Sequence, residues 1–330
     1  MKCLKIAVIG YGSIGKRHVS NLLKIPGIQI IICTKKNFPV SDHKKIQIVN
    51  SISECLKHKP NIALITNISS YHVQTAIKFA NEGIDLFIEK PLSNSIKETN
   101  ELIKIIKKKK LISQMGCQLR FHKCIKKIKQ LITDEKIGQI LSVKVECGSY
   151  LPEWHPDEDY RKSYAALDKL GGGVILTNIH EIDYLYWLFG DVSKVFSVAG
   201  KFSNLDLSSD DLCVGILEFK NNIIGELHLD YFQKPDYRSC KIIGSNGVIF
   251  WDSFSNTVEI FDNKKNKWFK VLNWFNYERN LMYQEELKHF IKSVKHRHST
   301  INPVETDGIK TLKIALALKN SSKTGKTERV

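Results

Sequence analysis

Along the first 120 residues, apolar side chains come in short unbroken runs, each followed by a stretch with helical spacing. Residues 4–9 form one such run, which reads as a buried parallel strand. A glycine turn covers 10–15, and the helical spacing that follows over 16–24 puts Ile14, Val19, Leu22 and Leu23 on one side. Further strands are expected at 28–33, 62–66 and 86–88, and helices at 51–58, 71–82 and 95–110. Ser51 with Glu54 three residues on is a capping-box pair, and Gly83 is a stop signal. Strand and helix in strict alternation predict a doubly wound parallel sheet, the Rossmann arrangement.

The pattern then changes. A helix at 123–133 and a strand at 141–150 lead into a loop, 151–168, rich in aromatic and charged residues. Gly171-Gly172-Gly173 opens a helix to about 188. Strands are expected at 195–198, 212–219, 224–231, 238–243, 247–252 and 258–261, several alternating polar with apolar as a one-faced antiparallel sheet requires. Helices at 283–294 and 307–321 close the chain, and the tail after Lys323 is expected to be disordered. The fold class predicted is α/β. A dinucleotide-binding domain over 1–121 is followed by a substrate-binding α/β domain over 122–330 with an open, mainly antiparallel sheet. The last helices are expected to pack back toward the first domain.

Composition adds limits. At 330 residues, two domains of ~100–200 residues are natural, and 42% hydrophobic with 25% charged residues is ordinary for a folded soluble protein. The formal net charge of +16 invites a nucleic-acid reading. Against it, the lysines are spread along a chain also rich in Ile and Asn, as AT-rich coding produces. The one dense run, 107–110, reads as a solvated helix end. No nucleic-acid partner is expected, although basic residues help attract a phosphorylated ligand. The 8 cysteines show neither a CxxC pair nor zinc-type Cys/His spacing, so no metal is expected and a reducing compartment fits. Met1-Lys2 leads straight into a strand, with no leader pattern, and no apolar run approaches the ~20 residues that span a bilayer. A cytoplasmic protein without membrane contact is expected.

Candidate chemistry starts at Gly10-Tyr11-Gly12-Ser13-Ile14-Gly15, a G-x-G-x-x-G in the strand–turn–helix context that dinucleotide binding needs. Gly10 permits the tight turn, Gly12 lets the backbone approach a pyrophosphate, and Gly15 allows close packing. The free N–H groups at the helix start, at Ser13 and Ile14, face the phosphates. The second strand ends Cys33-Thr34-Lys35-Lys36, with no carboxylate for a ribose 2′-hydroxyl. A hydroxyl and two ammonium groups suit a 2′-phosphate, so NADP is expected, with NAD the alternative if the lysines are ordinary loop residues. Glu89-Lys90-Pro91 follows a strand at the carboxyl edge of the sheet, where ligands bind, and a lysine there can exchange a proton. After the glycine triplet, helical spacing puts Thr177, His180 and Tyr184 on one face, with Asp183 and Trp187 beside it. A lone helical histidine is also often a hydrogen-bonded core residue.

Together, the glycine turn, Glu89-Lys90-Pro91 and Gly171-Gly172-Gly173 with His180 and Asp183 resemble the Gfo/Idh/MocA oxidoreductases over nearly the whole chain. The resemblance implies hydride chemistry on sugars, inositols or nucleotide sugars, and homodimers or homotetramers. It implies Lys90, His180 and Asp183 as catalytic, and Asn67, His72, Glu89, Lys90 and Gln118 along the cofactor. Arg120 matches the segment that crosses between the domains on the substrate side. The chain has Thr177 where the family often has Asp, Ile68 near a usual proline, and Lys123 where another proline is usual. The loop Leu151-Pro152-Glu153-Trp154-His155-Pro156-Asp157-Glu158-Asp159-Tyr160-Arg161 resembles members linked to surface-sugar and nonulosonic acid pathways. In that loop Trp154 can stack on a sugar ring, and His155, Tyr160 and Arg161 can bind hydroxyls, a carboxylate or a phosphate. The competing reading is a structured loop with a packed tryptophan and an Asp–Arg pair. For the whole chain, the rival is a non-catalytic dinucleotide-binding regulator of the same fold.

Overall fold

The computed structural model describes residues 3–35, 44–274 and 277–330. Its order begins β1 Leu4–Ile9, α1 Ser13–Leu23, β2 Ile28–Cys33, β3 Ile46–Val49, α2 Ile52–Lys57, β4 Ile62–Ile65, α3 His72–Asn81, β5 Asp85–Glu89, α4 Thr99–Lys109 and β6 Ser113–Gly116. Then come α5 Lys123–Thr133, β7 Ile140–Gly148, α6 Val174–Thr177, α7 His180–Phe189, β8 Val192–Gly200, β9 Leu212–Phe219 and β10 Ile224–Asp230. The chain closes with β11 Tyr237–Gly244, β12 Gly247–Asp252, β13 Thr257–Asp262, β14 Lys267–Asn273, α8 Asn280–His296, α9 Ile309–Thr324 and β15 Glu328–Arg329. Two compact units form: Met1–Gln118 with Asn280–Ile309, and Leu119–Arg279 with Lys310–Val330. Among the described residues no helix is long and apolar enough to cross a membrane.

In the first unit six strands run parallel in the order β3-β2-β1-β4-β5-β6. The order reverses beside β1, so the carboxyl ends of β1 and β4 diverge into a crevice, the place where open α/β sheets take ligands. Strands covered on both faces read as continuous apolar runs, and Ile6, Val8, Ile30, Ile32, Leu64 and Phe87 are buried against Val19 and Leu22 of α1 and Leu287 and Phe290 of α8. Each such side chain contributes about 1.5–3 kcal/mol when fully buried. Ser51 caps α2 as expected, its hydroxyl accepting the Glu54 N–H at 3.1 Å, while the Glu54 carboxylate accepts the Asn50 N–H at 3.1 Å.

In the second unit nine strands run β14-β13-β12-β11-β7-β10-β9-β8-β15, antiparallel except for the β7–β10 pair. Three expectations change. The tail after Lys323 is ordered: Glu328 and Arg329 pair with Val195 and Lys194, and the Val330 N–H reaches the Ser193 carbonyl at 3.2 Å. The helix expected to run from the glycine triplet to 188 is two, α6 and α7, broken at Asn178 and Ile179. Thr177 and His180 therefore sit on different helices, and the shared face argued from their spacing does not exist for that pair. Finally, α4 starts at Thr99 rather than 95, after Glu98 adopts a left-handed φ of 61°.

Candidate active site

The glycine turn is built by contacts that leave no room for side chains on its inner side. Gly10 has φ +100°, and a Cβ there would lie 2.8 Å from the Asn67 Cα; a Cβ at Gly15 would lie 2.3 Å from the Gly10 carbonyl oxygen. Gly12 is the opposite case, with nothing within 4 Å of its Cβ position. That gap stands at the N-terminus of α1, an 11-residue helix with no side-chain cap and no acidic residue in its first turn. Its free N–H groups and positive dipole end suit a phosphate. The Thr66 hydroxyl donates to the Gly10 carbonyl at 2.9 Å and so braces the turn from β4. Asn67 donates its amide to the Thr75 hydroxyl at 3.0 Å, and its buried Oδ1 meets no hydrogen-bond partner among the described residues. Open space at Gly12 and, at the end of the neighbouring strand, an orphaned Asn67 amide oxygen packed behind Gly10 fit a dinucleotide lying across the strand ends. Thr34 is buried after β2, its N–H on the Val49 carbonyl at 3.0 Å, and Lys35 is exposed. Lys36 lies outside the described residues.

Glu89 ends β5 and is 5% exposed; Lys90 follows, half-buried. The Glu89 carboxylate meets His18 Nε2 of α1 at 2.6 Å. Behind the pair, the Pro91 carbonyl lies 2.8 Å from His72 Nδ1, and His72 Nε2 lies 3.0 Å from the Asn67 carbonyl. His72 was expected along the cofactor. Its ring is instead buried between two backbone carbonyls and ties the loop after β4 to the turn after β5. Burial pulls its pKa down, with the two carbonyls and Glu89 resisting, and a neutral ring donates to one of the two. Gln118 is buried in the 3-10 turn Gln118–Phe121 after β6.

In the second unit His180 opens α7 and is 6% exposed. The two carboxylates that follow it on α7, Glu181 and Asp183, are both engaged. Glu181 Oε1 meets Arg238 Nε at 2.6 Å. Asp183 accepts from Arg120 Nε at 2.9 Å and from Nη2 at 2.8 Å. Arg120 is expected on the substrate side, and Asp183 to orient the substrate or the histidine; both are buried, and each holds the other. The triplet ahead of α6 has a local cause. Gly173 has φ +99°, and a Cβ there would lie 2.4 Å from Asp210 Oδ1. Asp210 accepts the Val174 N–H with its carbonyl at 2.8 Å and the Ile175 N–H with Oδ2 at 3.0 Å, and Lys319 anchors it at 3.1 Å. Thr177 is buried at the end of α6.

The aromatic loop is held largely by itself. The Trp154 indole N–H donates to the Ser149 hydroxyl at 2.9 Å, and the ring stands edge-on to Tyr231 at 5.4 Å. Arg161 donates from Nε and Nη2 to the two oxygens of Asp159 at 2.8 and 3.0 Å, which holds that carboxyl below its usual range. The Tyr160 hydroxyl accepts the Asp206 N–H at 3.0 Å. His155 is exposed. These are the contacts of a structured loop; the outer face of Trp154 and the His155 ring remain for a ligand.

Two family models match: residues 4–117 fit the oxidoreductase family with an NAD-binding Rossmann fold, and residues 125–250 fit the GFO/IDH/MocA C-terminal domain. The chain belongs to the GFO/IDH/MocA family. It is an oxidoreductase with a nicotinamide-dinucleotide fold. Among curated relatives, the myo-inositol 2-dehydrogenase of Thermotoga maritima is 27% identical over 307 residues, covering 88% of each chain. The 2,7-anhydro-N-acetylneuraminate hydratase of Mediterraneibacter gnavus is 22% identical over 203 residues, 61% of this chain and 53% of that protein. The solved structure of levoglucosan dehydrogenase in complex with NADH superposes with a TM-score of 0.87 at 17% identity over 99% of each chain, a likeness of fold.

Sequence reasoning missed His18, Arg238, Glu181 and Asp210. Arg238 and Asp210 lie far along the chain from the groups they hold, so no local spacing signals them. His18 had a signal that was not used: it follows Gly15 by three on the buried side of α1, among apolar residues.

Proposed function

We propose that this chain moves hydride between a nicotinamide dinucleotide and a secondary alcohol or ketone carbon of a sugar, cyclic polyol or nucleotide sugar. The observation that carries the reading is the open space at Gly12 together with the orphaned Asn67 oxygen after β4, at the same edge of the sheet that presents Lys90 after β5. The names of the relatives, a myo-inositol 2-dehydrogenase and a 2,7-anhydro-N-acetylneuraminate hydratase, support this substrate class. When bound, the dinucleotide supplies or accepts the hydride. In oxidation the hydroxyl proton leaves as the hydride does; Lys90 of the first unit is the group that takes it and returns it in reduction, with His180 of the second unit the other proton-handling candidate. Asp183, fixed on Arg120, positions α7 and so the His180 ring. Trp154 and His155 are the loop residues we assign to the substrate, with Tyr160 and Arg161 shaping the loop around them. Thr34 and Lys35 favour NADP. A homodimer or homotetramer is supported by Phe196, Val198, Val214 and Ile216, four exposed apolar residues paired across β8 and β9.

Fluorescence titration with NADPH and NADH, followed by turnover on a panel of sugars, nucleotide sugars and inositols, tests the reading. Tighter binding of NADPH, a gap narrowed severalfold in Lys35→Ala, and turnover of at least one panel member are expected. Preference for NADH would reject the cofactor assignment, and tight binding without turnover on any member would favour a regulator.

A further inference from the structure

We infer that His18 is a positioning residue for Lys90, acting through Glu89; this rests on the reading of Lys90 as a group that handles the proton. The ring of His18 is fully buried on the sheet-facing side of α1, with Nε2 2.6 Å from Glu89 Oε1. Phe87 and Tyr283 hold it edge-on, at centroid distances of 5.2 and 6.3 Å. The carboxylate has a fitted slot. A Cβ at Gly116 on β6 would lie 3.0 Å from both Cδ and Oε1 of Glu89, so glycine there spares the carboxylate a shift of a few tenths of an ångström.

The other ring nitrogen decides where the proton sits. His18 Nδ1 is buried and meets no hydrogen-bond partner among the described residues. A buried N–H without an acceptor costs more than a buried lone pair without a donor, so the ring carries its hydrogen on Nε2 and donates it to Glu89. That bond holds the buried Glu89 carboxylate turned toward α1. Take the donor away and the carboxylate is left uncompensated. The cation next to it in the chain is Lys90, and Glu89 would swing to pair with it, drawing the ammonium out of position. His18 thus links the helix that presents N–H groups to the phosphates with the strand end that presents the proton-handling lysine.

The full-length protein, with His18→Ala and His18→Gln, tests this by two readouts. The Gln amide nitrogen reaches about where Nε2 does and keeps the donor. First, reductive methylation of Lys90 is followed by peptide mass spectrometry, with exposed Lys201 as the internal standard. In His18→Ala, Lys90 should label at least threefold more slowly than in the wild type, because the released carboxylate pairs with it; His18→Gln should return the rate to within twofold. Second, single-turnover rates at saturating dinucleotide should fall about 10- to 100-fold in His18→Ala, with dinucleotide Kd and substrate KM within threefold, the size expected for a displaced group. His18→Gln should recover most of that loss. Unchanged Lys90 labelling in His18→Ala, or His18→Gln behaving like His18→Ala, overturns the inference. If His18→Ala does not fold, His18→Phe fills the same space without the donor and makes the same comparison: Lys90 should label at least threefold more slowly, and an unchanged rate overturns the inference. The labelling readout needs no substrate, so a wild type that turns over no polyol would sink the proposed function and leave this inference to be judged separately.

Discussion

Arg120 presents two nitrogens to the two oxygens of Asp183, with side-chain exposures of 0% and 1%, and that pair changes what either residue can do. From the sequence, Arg120 in Gln118-Leu119-Arg120 was a substrate ligand and Asp183 a participant in the chemistry. The structure pairs them with each other, and nothing near either in sequence could have shown it, because the partners are 63 residues apart. Breaking a buried pair from one side strands the other charge, at a cost of about 3–5 kcal/mol. Arg120→Ala should therefore lower unfolding free energy in urea by about that amount, and adding Asp183→Ala should cost much less than the sum. An Arg120→Ala protein of wild-type stability with a raised substrate KM would return Arg120 to the substrate. The glycines were the opposite case. At Gly10 and Gly12 the sequence motif carried its physical reasons with it, one a close approach and one an open gap.

At the scale of elements, α5 shows how a cap can set pH dependence. His122 caps it with Nδ1, accepting the Cys124 N–H at 3.2 Å, which requires a lone pair. The rings of Trp251, Trp274 and Tyr277 surround it at 5.3, 5.2 and 4.9 Å. Burial first, then the charge of Arg238, pulls its pKa down to about 3 from the ordinary 6.5. Between those values the unfolded chain binds a proton that the folded chain refuses, so stability rises with pH there and is lost as pH falls from about 6.5 toward 3. At pH 5 the loss from this group is roughly 2 kcal/mol. Urea midpoints at pH 7.5 and 5 should therefore converge in His122→Gln relative to the wild type; identical pH slopes would contradict the assignment. Most elements were legible because their patterns are local: β9 and β12 stand where alternation puts them, and α5 spans the expected residues. The rest depend on partners. β3 and β6 are short edge strands with polar residues that only their neighbours make into strands, and β15 exists because β8 offers an open edge. The break between α6 and α7 falls in an unbroken helical spacing, and no local residue marks it.

For the molecule as a whole, the first unit was readable because a parallel sheet covered on both faces writes itself as apolar runs. Its limits were less so: α8 belongs with residues 1–118, although about 160 residues separate them. Part of the charge of +16 is matched locally, by ion pairs such as Lys194–Glu218 at 2.8 Å on the sheet and Lys310–Asp191 at 2.5 Å. The central claim is that Lys90 handles a proton as hydride moves. Single-turnover hydride transfer, followed by nicotinamide absorbance with enzyme saturated in dinucleotide, tests it most directly. Lys90→Met and His180→Ala should each slow the step by about 10²–10⁴-fold while dinucleotide Kd holds, the usual contribution of a positioned acid–base group, whereas Gly12→Val should abolish dinucleotide binding. A Lys90→Met protein that transfers hydride at the wild-type rate would contradict the account.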